Sequence, residues 1–306
     1  MTYDDMLAHF TQHIEEGAKV EAEDWMPDDY RRGVLKFIEM HANSEIMGAL
    51  PERECLPRAP TLKRKMSLAA KIQDEVGHAQ LLYRVAEDLG KSREAMYTDL
   101  VTGKSKFHNV FHYPVGHWGD VAIIGWLIDG AALVTQAALL ESSYAPYTRV
   151  LKRICSEEQL HLRHGEDITM ELAAGTDAQR AMFQDALGRW WLPIIHFFGP
   201  RSNVEKDLLL RWKVKTRTNE DLRQEFLDRY VPKVLELGFA FPVPVPFRDD
   251  DGRWRVRDED IDWAPLDAIK RNRGPETARR LGLRRRIYDD HRWVREALND
   301  PAVHAA

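Results

Sequence analysis

Two short sequences carry the chemistry of this chain, Glu75-Val-Gly-His78 and Glu158-Gln-Leu-His161. A carboxylate and an imidazole three residues apart share one face of a helix. Together they offer an oxygen and a nitrogen donor to one metal ion. Their number is uninformative, because 49 carboxylates and 12 histidines in 306 residues give about two such pairs by chance at same-face spacing. Their setting is what counts. Around Glu75 the same face carries Leu68, Ile72, Ala79 and Leu82, and around Glu158 it carries Leu151, Ile154, Leu162 and Ile168. A carboxylate ionised inside such an apolar stripe needs a partner, since isolated buried charge is very unfavourable. Each motif also follows a lone carboxylate on a preceding apolar face. Glu45 lies among Ile38, Ala42, Ile46 and Ala49, and Asp129 among Ala122, Trp126, Ala132 and Leu133. Glu45 precedes Glu75 by 30 residues and Asp129 precedes Glu158 by 29. One helical hairpin is thus used twice.

Four carboxylates and two imidazoles facing one interior, Glu45, Glu75, His78, Asp129, Glu158 and His161, make the donor set of a carboxylate-bridged two-metal site. Hard oxygens with borderline imidazole suit iron or manganese, and the pattern is that of ferritin-like di-iron bundles. The plainer alternative, hydrogen-bonded polar groups in a core, explains one pair better than six matched positions. Hairpin geometry tests the set. With a turn near Ala145, Asp129 lies about 24 Å deep and Glu158 about 20 Å at ~1.5 Å per residue, so the two meet, whereas Glu141 at about 6 Å does not. In the first hairpin Glu45 and Glu75 align only if the loop at 51–60 climbs along the bundle. Lys71 stands one turn before Glu75. Its ammonium either snorkels to solvent or pairs with Glu75 or Asp129 when metal is absent. Cys155, one turn from Glu158, reads as a small buried hydrophobe, and His164 as a bundle-surface histidine.

The elements that must position these groups read as long helices between Asp28 and Gly238. A first helix runs from Tyr30 to Leu50, where Pro51 stops it, and Thr61 caps a second that reaches Gly90. An irregular His- and aromatic-rich loop spans 103–118. A third helix holds the apolar run and ends before Ala145-Pro146, a fourth reaches Gly175, and further helices fill 177–198 and 218–237. No strand-like alternation interrupts this region. The expectation is an all-α, ferritin-like helical bundle over 1–238. Beyond it, 239–306 forms a small Pro-rich C-terminal extension, with a hairpin turning at Asp251-Gly252 and a basic helix from Pro275 to Leu298 that packs on the bundle or on a partner.

Composition narrows the function. With 44 Lys+Arg against 49 Asp+Glu the net charge is −5, which leaves no basic field for nucleic acid. Two cysteines, Cys55 and Cys155, cannot build a disulfide framework. The start, MTYDDMLAHFTQH, lacks the basic and apolar parts of a signal peptide, so the expected location is cytoplasmic. Residues 121–140 form an apolar run long enough to span a bilayer. Asp129 near its middle would cost roughly 2.5–3.5 kcal/mol there, and the flanks carry no basic cluster, so the run is expected to be a buried core helix and not a membrane span.

The stretches DWMPDDYR (24–31), HANSEIMGALPE (41–52), RAPTLKRK (58–65), AKIQDEVGHA (70–79), IGWLIDGAA (124–132), ICSEEQLHLRHG (154–165) and TNEDLRQEF (218–226) resemble the catalytic A subunits of the bacterial ring-1,2-phenylacetyl-CoA epoxidases. The likeness covers about residues 15–240 and continues more weakly through the tail. It implies a soluble monooxygenase subunit with two Fe ions, which uses O2 to convert phenylacetyl-CoA to its ring 1,2-epoxide in aerobic phenylacetate catabolism. It further implies NADPH as electron source, with flavin and an iron–sulfur cluster on a separate reductase subunit. A structural subunit of the same fold and small accessory subunits would be further partners. The family's iron ligands fall on the six residues named above, and its lysine, bridging the Glu75 and Asp129 positions in metal-free protein, on Lys71. By the same likeness the CoA ester would be met by Lys36, the run Lys106-Phe107-His108-Asn109 and Lys215. The family often has Gln where this chain has Met40. Competing readings are a non-catalytic scaffold paralogue of the same complex, a ferritin-like radical or storage protein, and an epoxidase for another aryl-CoA ester. No tyrosine lies within one turn of a proposed ligand in sequence, which disfavours the radical reading.

Overall fold

The computed structural model describes residues 1–298 of the chain. Its helices are α1 (Tyr3–Glu15), α2 (Asp28–Cys55), α3 (Leu62–Glu87), α4 (Arg93–Val101), α5 (Trp118–Leu139), α6 (Ala145–Ala173), α7 (Asp177–Phe197), the single turn α8 (Leu208–Arg211), α9 (Asn219–Glu236), α10 (Ala264–Lys270), α11 (Thr277–Asp290) and α12 (Arg292–Leu298). The strands among the described residues are β1 (Phe247–Arg248) and β2 (Trp254–Arg255), paired antiparallel with Phe247 opposite Arg255. The chain is the all-α, ferritin-like bundle expected. The part of the tail extension at 299–306 lies outside the described residues.

The hairpins α2–α3 and α5–α6 pack together, with α3 against α6, and α7 and α9 cover α5. Thr61 caps α3 through its hydroxyl, which accepts from the Arg64 amide. The apolar run is the buried helix α5, with Ala122, Ile123, Leu127 and Ala131 sealed from solvent. One turn of α5, Ile124–Ile128, is wound as a π-helix directly before Asp129. That wider turn rotates every later side chain relative to a regular α-helix, and such bulges occur mostly at functional sites.

Two apolar cores flank a polar layer. Along α3 the order is Leu68 in one core, then Lys71, Glu75 and His78, then Ala79 and Leu82 in the other. Along α6, which runs the opposite way, Leu151 and Ile154 precede Glu158 and His161, and Ile168 and Leu172 follow. The first hairpin differs from its sequence reading. Pro51 does not end α2, which continues to Cys55. An internal proline removes a backbone bond and strains the turn by about 3 kcal/mol. Burial of Leu50, Pro51 and Cys55 offsets this, and the Arg284 guanidinium of α11 donates to the Ile46 carbonyl beside the interrupted turn. The longer α2 performs the alignment that a climbing loop was expected to perform.

The tail fastens the loop before α5. Thr277 bonds His112 at 2.6 Å, and fully buried Arg280 donates to the Phe111 carbonyl at 2.5 Å. Where α5 crosses α6, Gly125 meets Gly165 so closely that a Cβ on Gly165 would lie 2.0 Å from the Gly125 carbonyl carbon. Neither backbone can yield without moving a site helix. Gly165→Ala is therefore expected to destabilise the protein by about 1–3 kcal/mol through overpacking. Gly77→Ala, whose Cβ meets nothing within 4 Å, should stabilise α3 by up to about 1 kcal/mol. Equal melting temperatures for Gly165→Ala and wild type would show that the crossing is not tight.

Candidate metal centre

Each bundle helix delivers its part of the donor set from the face that its apolar spacing buries. Glu45 comes from α2, Glu75 and His78 from α3, Asp129 from the turn after the π-helix, and Glu158 and His161 from α6. All six are less than a tenth exposed. Donor atoms of Glu45, Glu75, His78 and Glu158 lie within 4.8 Å of one another, and so do those of Asp129, Glu158 and His161. Glu158 belongs to both groups and divides its oxygens. Oε1 lies 3.2 Å from His78 Nδ1, and Oε2 lies 3.2 Å from His161 Nδ1. His78 Nδ1 is also 3.8 Å from Glu45 Oε2 but takes no well-directed hydrogen bond. A buried ring nitrogen without such a bond, aimed at two carboxylates, fits a metal ligand.

The far nitrogens of the two rings are held crosswise. His78 on α3 meets Glu157 of α6 through Nε2 at 2.9 Å, and His161 on α6 meets Asp74 of α3 at 3.1 Å. A carboxylate behind a ligating imidazole fixes its tautomer and its plane. Sequence reasoning missed both carboxylates, although the doublets Asp74-Glu75 and Glu157-Glu158 announce them. It also missed Glu52. The Lys71 ammonium sits 2.5 Å from Glu52 Oε1 and 2.5 Å from Asp129 Oδ2, while Glu75 is 3.9 Å away. Lys71 thus does not snorkel, and its second close partner is Glu52 where the family likeness had placed Glu75. Glu52 escaped notice because it follows Pro51, where the helix was expected to have ended. His164 is half-buried, and burial lowers it to about 4.

Protons and one lysine hold this layer together without metal. Burial alone would raise Glu45, but the His41 and His78 imidazoles beside it keep it well below the usual carboxylate range. Burial likewise works against Glu158, yet the two imidazoles bring it to about 2. Burial, then the charges of Glu158 and Glu45, push Glu75 well up. Burial lifts Asp129 to about 7 against the pull of Lys71. Burial opposes the charged form of His78, but Glu158 and Glu45 raise it to about 10, and Glu158 raises His161 in the same way. The His78 imidazolium and the Lys71 ammonium, with His161 shifted the same way, supply positive charge that bound cations would bring.

A cavity of about 380 Å³ opens from the carboxylates, along Phe111, Ile124, Ile128 and Phe197, to Lys215 and Arg217 near the surface. An apolar cavity of about 150 Å³ already holds benzene, so this one has room for a group the size of one aromatic ring. Of the residues expected to meet the CoA ester, His108 and Lys215 line the cavity. Lys215 is paired with Asp207 at 2.7 Å. Lys36 is exposed, and Lys106 reaches Asn272 at 3.1 Å. Phe107 stacks on His112, and Asn109 donates to the Pro193 carbonyl, and neither lines the cavity. His41, Gln136 and Tyr147 line it as well, and sequence reading named none of them as site residues.

The chain matches the model of the phenylacetic acid catabolic protein family over residues 4–293. It is 43% identical over 291 residues to the A subunit of 1,2-phenylacetyl-CoA epoxidase from Escherichia coli (strain K12), covering 94% of each chain.

The protonation pattern has a consequence in solution. Folded His78 keeps its proton to about pH 10, against 6.5 ordinarily, so the stability it contributes is full below 6.5 and drains as pH rises. Asp129, raised from 3.8 to about 7, acts in the same direction between those values. The melting temperature of chelator-treated protein should therefore fall from pH 6.5 to about 9, and saturating Mn(II) should remove that fall because it replaces the protons. A metal-free melting temperature that stays flat or climbs across this range would overturn the assignment.

Proposed function

The chain belongs to the phenylacetic acid catabolic protein family, and from that premise we propose that it is the oxygen-activating subunit of a phenylacetyl-CoA epoxidase with a pair of iron ions held by Glu45, Glu75, His78, Asp129, Glu158 and His161. It is an oxidoreductase of phenylacetate catabolism. The reaction consumes O2, two electrons and two protons, places one oxygen atom on the aromatic ring as the 1,2-epoxide and releases the other as water. The observation that carries the reading is the six-donor set, whose four carboxylates line a cavity with room for one aromatic ring. Carboxylate oxygens and imidazole nitrogens suit iron and manganese over softer metals.

Iron bound there supplies the O2 chemistry. The protein's own residues do the rest. Glu158 sets the two positions through its divided oxygens, and Glu157 and Asp74 keep the imidazoles oriented. The apolar walls exclude water and hold the ring. Lys71 with Glu52 balances charge beside Asp129. Lys215 and Arg217, with His108, line the cavity and are the groups offered to the anionic CoA handle, while Lys36 and Lys106 stand outside its lining as further cations to test. Electrons reach the site from NADPH through the flavin and iron–sulfur cluster of a reductase subunit. A structural subunit of like fold and small accessory subunits complete a cytoplasmic complex. The bundle of 1–238 carries the chemistry, and the extension that begins at 239 braces it through its described residues, a division supported by the contacts of Thr277, Arg280 and Arg284. A scaffold has no need of buried charges, so the intact donor set speaks against that alternative.

Iron analysis and turnover of the reconstituted complex test the reading. Glu75→Ala and Glu158→Ala should lose at least one iron per chain and lower turnover by orders of magnitude while keeping helical content, because each change also removes a buried like charge. Two irons and full turnover in either variant would refute the ligand set. Steady turnover with NADPH by this chain alone would refute the multicomponent assignment.

A further inference from the structure

One hydrogen-bonded chain in the cavity wall takes no part in the scheme above. Tyr147, in the first turn of α6, is fully buried, and its ring packs edge-on against Phe37 at 6.2 Å. Its hydroxyl lies 2.7 Å from His41 Nδ1, and His41 Nε2 lies 2.8 Å from Glu45 Oε1. The Tyr147 hydroxyl can donate to Nδ1 and a carboxylate oxygen only accepts, so the neutral tautomer that suits both neighbours carries its hydrogen on Nε2. Burial and the charge of Glu45 push the phenol well above its ordinary range, so it remains a donor. The Gln136 side-chain nitrogen also reaches this Nε2, at 3.4 Å, a longer contact than the 2.8 Å ion pair with Glu45. Tyrosine thus selects the tautomer, and the tautomer holds one oxygen of Glu45. The other oxygen, Oε2, faces His78 Nδ1 at 3.8 Å inside the donor cluster.

We infer that Tyr147 and His41 are positioning residues that leave Glu45 a single oxygen, Oε2, for a metal ion. The inference rests on reading Glu45 as a ligand. A carboxylate with both oxygens free can swing between one- and two-oxygen binding. One whose outer oxygen is anchored keeps one geometry, provided that its anchor is itself held. His41 and Glu45 stand one turn apart on α2, and Tyr147 reaches in from α6, so the anchor ties two bundle helices to one ligand.

The test uses the full chain stripped by chelator and titrated with Mn(II) and, separately, Co(II), whose visible absorption reports its ligand geometry. The variants are Tyr147→Phe, His41→Leu, His41→Gln and, as reference, Glu45→Ala. Wild type should bind two ions. Tyr147→Phe and His41→Leu should still bind two, with one site weakened by about 10–100-fold, the range for lost outer partners of a ligand, and with a changed Co(II) spectrum. His41→Gln, whose amide N–H can replace Nε2–H, should stay within about threefold of wild type. Should His41→Leu fail to fold, Tyr147→Phe decides, since it removes one oxygen from a packed ring. Wild-type affinities and spectra in Tyr147→Phe beside an impaired Glu45→Ala would overturn the positioning role and leave the ligand assignment standing. Two intact sites in Glu45→Ala would overturn the ligand assignment itself.

Discussion

Five carboxylates, Glu45, Glu52, Glu75, Asp129 and Glu158, are buried in one layer of a helical bundle, and their mutual repulsion is the constraint that the rest of the structure answers. An isolated charge in such a place would neutralise itself or unfold the chain. Here Lys71 lies between Glu52 and Asp129, and two imidazoles lie between Glu158 and its neighbours. None of these groups adds apolar burial. Stability has to come from the two apolar cores above and below, which is why the same helices alternate core, polar layer and core along their length. A site built this way is poorly bound to itself and well held by its surroundings, the condition under which a strained or charged centre persists.

Much of this was legible in the chain. The six donors stood out because helical spacing placed charged residues on faces otherwise apolar, and the near-equal 30- and 29-residue separations tied them into two hairpins. The depth argument for Asp129 and Glu158 needed only helix rise and a proline-marked turn. What stayed hidden has specific causes. Pro51 is a strong stop signal locally, and only burial of its turn and the distant Arg284 carry α2 past it. Glu52 vanished with that reading. Tyr147 and His41 are 106 residues apart, so no window of sequence shows them as partners. The π-turn before Asp129 leaves no compositional mark in an all-apolar run, and the crosswise bonds of Asp74 and Glu157 depend on two helices being antiparallel and in register.

The repeated hairpin is symmetric in its donors and asymmetric in its charges. On the Glu45 side, His41 and His78 keep the carboxylate ionised well below its ordinary range, so that position is already anionic at neutral pH. On the Asp129 side, burial raises the acid to about 7 and the Lys71 ammonium sits 2.5 Å from it. A cation held on the first side would meet a prepared negative charge. One held on the second would compete with the Lys71 ammonium, and Glu52, equally close to Lys71, would keep that ammonium from becoming an unpaired buried charge. With Glu52 and Lys71 paired, the four remaining carboxylates would match two divalent ions. The asymmetry therefore removes a difficulty that a symmetric layer would have. Lys71, 2.5 Å from both Glu52 and Asp129, compensates the layer as it stands and would keep Glu52 as its partner if a cation took its place beside Asp129.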